Sequence, residues 1–154
     1  MAVEHSTLTT TDLHEPKGVA AANADELYIA NGSGSGAWTA ADNNIYLQGT
    51  IADISTAGSS WIVSPCAGTI TNIRTIINGA ISGGDAAITF EINGTAITGG
   101  AITIANASSA AGDVDASTPT DNRVLAAGNK LEAITNGGST NTIIAEVMYT
   151  ITPL

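Results

Sequence analysis

The sequence predicts an all-β protein, a jelly-roll-like β-sandwich with an extended N-terminal arm and a small hairpin, and three observations carry that expectation. Isoleucine occurs 19 times and threonine 21 times against 7 leucines in 154 residues; β-branched side chains lose χ1 freedom in helices and pack well on pleated sheets. From Ile88 to Ile92 the apolar residues Ile88, Phe90 and Ile92 alternate with Thr89 and Glu91, the period of a half-buried strand. Turn signals then recur at short intervals: Asn78-Gly79, Gly83-Gly84, Asn93-Gly94, Gly99-Gly100 and Asn136-Gly137-Gly138. Such pairs supply the positive-φ positions that hairpins require.

Taken in order, residues 1–48 read as an arm with a hairpin and residues 49–154 as the sandwich. Met1 to Gly18 is polar, carries both histidines and contains Pro16, so extended chain or turns suit it better than a packed element. The Ala20 to Ala24 run is too short to stand as a helix in water. Glu26 to Ala30 is a strand, Asn31 to Gly36 a turn, and Ala37 to Thr39 returns the chain around Trp38. A small polar transition from Asp53 to Ser60 precedes the strand that starts at Trp61-Ile62-Val63. Further strands are expected at Thr69–Ile77, Ala86–Asn93, Thr95–Thr98, Ala101–Ala105, Asn129–Asn136 and Thr142–Thr152. Ala107 to Asp121, small and acidic, reads as a surface loop. In the last strand Ile143, Ala145, Val147, Tyr149 and Ile151 share one face, and Ile144 and Met148 lie on the other among Glu146, Thr150 and Thr152. That mixed second face predicts a partner surface, and with aromatics at only 4% burial between subunits is the expected supplement to the core.

Charge narrows the partners. Four Lys+Arg against 14 Asp+Glu give −10, which opposes contact with a phosphate backbone, so no nucleic-acid partner is expected. The single cysteine, Cys66, has no internal disulfide partner, which suits a reducing compartment. Met1 to Thr11 lacks the basic start and apolar core of a signal peptide, and no apolar run reaches the roughly 18 residues a membrane span needs. Neither secretion by that route nor a membrane partner is expected. The Asn-x-Ser/Thr matches at Asn31, Asn93 and Asn106 are therefore read as chance.

Residue types with chemical potential are few. Cys66 follows Pro65 at a strand entrance, away from both histidines, and reads as a buried structural thiol. His5 and His14 match no short metal-ligand spacing. Asp113 and Asp115, with Asp121 nearby, offer hard oxygens suited to Ca²⁺, but without the ligand spacing of an EF-hand they read as a solvated acidic loop. Of Glu91, Glu132 and Glu146, alternation turns Glu91 and Glu146 outward. No catalytic residue, metal site or cofactor is expected, and the chain is not expected to be an enzyme. Trp38 and Trp61 are expected to fill the core, the functional alternative being that Trp38 anchors an interface.

Two stretches carry a family likeness. Thr11-Asp12-Leu13-His14-Glu15-Pro16-Lys17-Gly18, followed by Glu26 through Trp38, resembles a segment of tailed-bacteriophage virion proteins. Ser64 through Ile70, Asn93 through Ile97, Ala110 through Asp115 and Ala127 through Lys130 resemble the sandwich of phage head decoration (cement) and head-fibre proteins. Together they span most of the chain. The resemblance implies a structural virion protein made in the host cytoplasm. It would bind the major capsid protein on the outer capsid surface, as a homotrimer at threefold positions. It implies capsid contacts at Leu13, His14, Glu15, Pro16, Tyr28 and Trp38, and a trimer interface at Ile144 and Met148. The other class of function compatible with the sequence is a virion-displayed receptor- or carbohydrate-binding module, with loops Asn106–Asp121 and Gly137–Asn141 as its sites.

Overall fold

The computed structural model describes residues 22–23, 26–30 and 36–154. The chain divides into two compact units, Met1–Asp42 and Asn43–Leu154. The division falls before residue 48, because an unanticipated strand begins at Ile45. In the first unit β1 (Glu26–Ala30) pairs antiparallel with β2 (Gly36–Ala40), placing Tyr28 opposite Trp38. The expected Asn31 to Gly36 turn and Ala20 to Ala24 run fall wholly or mostly outside the described residues.

The second unit contains β3 (Ile45–Ile51), β4 (Gly58–Val63), β5 (Gly68–Ile77), β6 (Ala86–Ile92), β7 (Thr95–Ala96), β8 (Ile102–Ile104), β9 (Val114–Ser117), β10 (Val124–Leu125), β11 (Lys130–Thr135) and β12 (Ala145–Pro153). One sheet has the order β10-β5-β12-β3 with β9 also on β5; the other has β4-β11-β6-β7 with β8 also on β6. Since β9 and β10 lie end to end along β5, and β7 and β8 along β6, each sheet is effectively four-stranded. The nested antiparallel pairs β3 with β12, β4 with β11, β5 with β9/β10 and β6 with β7/β8 describe one long hairpin rolled across two sheets. That is a jelly roll, as the composition and turn spacing predict.

The strand face assignments hold where alternation is clean. Ala145, Val147, Tyr149 and Ile151 of β12 are buried, as are Ile88 and Phe90 of β6, while Glu146 and Thr89 face outward. Isoleucines from both sheets dominate the buried set, with Phe90 and Tyr149 as its aromatics. β5 contains a register irregularity opposite Thr150 and Ile151, which skips Thr71 and lets Ile70 and Ile73 both point inward although three residues apart. Asn93 (φ 50°) and Gly94 (φ 85°) form the tight turn between β6 and β7, as their sequence predicts.

Several expectations are corrected. The supposed loop from Ala107 to Asp121 contains β9, in which Val114 and Ala116 alternate with Asp115 and Ser117 against the long β5. β3 and β10 were not anticipated, since Gly49 breaks the first pattern and the second is only two residues long. β12 starts at Ala145 rather than Thr142, and Thr98 makes a single bridge to Asp121 instead of extending β7. Trp61 is not a core residue. It projects from the outward face of β4 with 59% of its surface exposed. No helix among the described residues is long and apolar enough to cross a membrane.

Candidate interaction surfaces

Three exposed features carry side chains able to hold a partner. The first is the β1–β2 hairpin. Tyr28 and Trp38, opposite each other in register, meet edge to face with ring centroids 5.4 Å apart at 62°. Alternation then turns Leu27 and Ile29 to the other face, where they are 60% and 56% exposed. Neither leucine nor isoleucine gains from water contact, so this hairpin presents more apolar surface than its size requires. Leu13, His14, Glu15 and Pro16 lie outside the described residues, as do both histidines.

The second is the outward face of the β3-β12-β5-β9 sheet. Register places Thr50, Glu146, Ile76 and Val114 in one row, and Gln48, Met148, Arg74 and Ala116 in the next. These rows line a shallow depression of about 250 Å³ whose walls include Met148, Ile76, Val114 and Arg74. Ile76 and Val114 are 43% and 53% exposed. Glu146 accepts from Thr50 Oγ1 at 2.7 Å, whereas the Arg74 side chain makes no hydrogen bond or ion pair with another described residue. Methionine and arginine are among the residue types enriched at interface centres, and Ile76 and Val114 add exposed apolar surface beside them. Met148 lies on the outward face of β12, as alternation along the strand predicts. Ile144, on the same side of the strand, lies beyond Glu146, its backbone N–H bonded to Asn78 Oδ1 at 3.0 Å and its side chain outside the depression.

The third feature, which sequence reasoning missed, surrounds Trp61 on the other sheet. β4, β11 and β6 bring Trp61, Glu132 and Glu91 into one row. Lys130 bonds Glu132 at 3.1 Å and stands 6.0 Å from the Trp61 ring centroid. Hydrogen bonds from the Ser59 side chain, then from Lys130, hold the Glu132 carboxyl below its usual range, and the Trp61 side chain adds another. An exposed indole fixed by an acceptor and a cation loses little freedom on binding. The signal available in the sequence was the spacing of Trp61, Ile62 and Val63 in an edge strand, where only Ile62 faces the core.

The remaining candidates are less organised. Cys66 is half-buried rather than buried, packed against the core, with Ser64 Oγ donating to its carbonyl at 2.8 Å. Asp113 and Asp115 point to the same side of β9 as Ser117, toward the β5 face that carries Thr75. Burial, then the charge of Asp113, pushes the Asp115 carboxyl up, and Asp115 Oδ2 and Thr75 Oγ1 are both buried without a hydrogen-bond partner among the described residues. Among the described residues no group of three or more His, Cys, Asp or Glu converges as a metal site would require.

The fold and these surfaces define the chain as an antiparallel jelly-roll module bearing its exposed apolar and aromatic residues on strand faces and a hairpin. No protein-family model matches the chain, and no curated protein sequence matches it. Among solved structures it is similar to dimeric latent PorU from Porphyromonas gingivalis, with a TM-score of 0.39 and 14% identity, covering 70% of this chain and 13% of that one.

Proposed function

We propose that this chain is a structural virion protein that binds the outer surface of a bacteriophage capsid and stabilises it as a decoration protein, acting as a homotrimer with the major capsid protein as partner. The observation that carries the reading is the outward face of the β3-β12-β5-β9 sheet, where Met148, Ile76, Val114 and Arg74 surround a concavity. That face supplies a contact between copies. The separate hairpin, with Leu27 and Ile29 exposed beside the Tyr28–Trp38 pair, supplies a second apolar surface for the capsid.

A protein that binds only the assembled lattice stabilises it by linkage, in proportion to its affinity and local concentration. Each copy needs only an ordinary interface of about 1,600 Å² in total. The net charge of −10 keeps such a protein from competing for packaged DNA. The deciding experiment compares the full chain with a form lacking residues 1–18 for binding to purified capsids, with imaging of the decorated particle at subunit resolution. Loss of capsid binding by an intact trimer supports the reading; capsids that bind neither form overturn it.

A further inference from the structure

We infer that the groove beside Trp61 is a binding site for a neutral carbohydrate chain. The groove has a volume of about 420 Å³ and runs between the loop after β3 and the edge strand β4, with Trp61, Thr50, Asp53, Thr56, Ser59 and Ser60 on its walls. That volume lies within the range of small-ligand clefts. The chemistry of the walls defines the occupant.

Every hydroxyl hydrogen on those walls is already committed inside the protein. Thr50 Oγ1 donates to Glu146 Oε2 at 2.7 Å, Thr56 Oγ1 to Asp53 Oδ2 at 3.0 Å, and Ser60 Oγ to the Thr50 carbonyl at 2.8 Å. The Ser59 hydroxyl bonds Glu132. What these groups still offer to the groove is lone pairs. Asp53 adds none: its carboxylate accepts from the Ser55 N–H at 2.8 Å, Ser55 Oγ at 2.6 Å and Thr56 Oγ1 at 3.0 Å, and the Ile143 N–H supplies a fourth bond, which fills its roughly four acceptor positions. The site is therefore rich in acceptors, and its ligand must bring donors.

Two kinds of donor-rich ligand exist, cationic and neutral. The ammonium of Lys130 already stands 6.0 Å from the Trp61 ring and repels a second cation there. Four hydrogen bonds occupy the Asp53 acceptor positions and leave none for an incoming ammonium, and among the described residues no Lys or Arg lines the groove to hold an anion. A neutral polyol remains. The 59%-exposed indole asks in addition for a flat apolar surface, which a saccharide ring provides through its C–H face while its hydroxyls point to the lone pairs. The site goes beyond the capsid reading and uses none of the residues assigned to capsid contact; Thr50, at its edge, is shared with the row of the β3-β12-β5-β9 face that carries Glu146.

The test titrates the full chain with maltohexaose, cellohexaose and chitohexaose, and with spermine as a cationic probe, at millimolar concentration by saturation-transfer NMR. The expected result is saturable transfer from at least one hexasaccharide, weakened about tenfold or more in Trp61→Ala and retained in Trp61→Phe. Ala57→Arg, which places a bulky charge in the groove from an exposed position, gives the same loss by an independent route. Transfer from none of the saccharides, transfer undiminished in both Trp61→Ala and Ala57→Arg, or binding of spermine alone overturns the inference. Capsid binding by the same variants is expected to be unchanged; its loss together with absent saccharide transfer would reassign the Trp61 face to a protein contact.

Discussion

Phe90 and Tyr149 meet edge to face across the sandwich, with ring centroids 5.7 Å apart and an interplanar angle of 86°. Phe90 belongs to β6 in one sheet and Tyr149 to β12 in the other, so this contact ties the two layers together. Both rings are at most 1% exposed in a core otherwise built of isoleucines and other aliphatics. Burial alone pushes the Tyr149 phenol far above its usual range, so the ring stays neutral throughout the accessible pH range. Phe90→Ala is expected to cost about 3–5 kcal/mol, as for other large core truncations. A double-mutant cycle with Tyr149→Ala, read by chemical denaturation, is expected to return a coupling of about 0.5–1.5 kcal/mol. Additive losses would show that the rings contribute only as volume.

Asp53 and Asp115 are expected to leave opposite signatures in stability against pH. Hydrogen bonds from the Ser55 side chain and backbone lower the Asp53 carboxyl below its unfolded value of 3.8, so its contribution is present above that value and is lost as pH falls through the folded value. Burial raises Asp115 above 3.8, so its ionised form is a penalty that sets in as pH rises through that region. Asp53→Asn should therefore lower Tm at neutral pH, with the difference from wild type closing in acid. Asp115→Asn should raise Tm at neutral pH, with the gain vanishing below about pH 3.8. Thermal melts of both variants across the acid range check the two signs together.

Much of this fold was legible because one face of each long strand is buried and period-two alternation reports that directly. β6 and β12 were readable for that reason, as was the Asn93-Gly94 turn, whose positive φ angles few other residue pairs adopt at low cost. β9 was hidden because it packs on an edge where Asp113, Asp115 and Ser117 occupy inward positions, so polarity suggested a loop. Trp61 was misplaced for the reverse reason. Its apolar neighbours Ile62 and Val63 implied a core strand, but β4 is an edge strand in which both Trp61 and Val63 face solvent. Hydrophobicity says which residues prefer burial, and sheet position decides which of them obtain it.

Two glycines with similar backbone angles should respond differently to alanine. Gly94 has φ 85° with open space where a Cβ would lie, so Gly94→Ala meets only the left-handed conformational cost, about 1 kcal/mol. Gly137 has φ 67°, and a Cβ there would stand 2.5 Å from the Ala57 backbone nitrogen. Gly137→Ala must also displace the 52–57 loop, so its destabilisation should exceed that of Gly94→Ala by about 1 kcal/mol or more. Denaturant midpoints with unchanged slopes would confirm that both act on the folded state.

The outward face of the β3-β12-β5-β9 sheet makes the last prediction. If Met148, Ile76 and Val114 meet another copy, a lysine introduced among them, beside Arg74 and Glu146, must give up its water on association, which costs several kcal/mol. Met148→Lys and Ile76→Lys should therefore convert the trimer to a monomer in light scattering. Because both side chains point away from the core, the circular dichroism spectrum and Tm of the monomer should stay near those of the wild type. Leu27→Lys, in the separate hairpin unit, should leave the trimer intact and weaken capsid binding instead. A wild-type chain that is a monodisperse monomer at all concentrations would remove the trimer from the proposed function. It would also leave the exposed Arg74, in a chain with only four lysines and arginines, to be explained by an acidic partner other than a second copy.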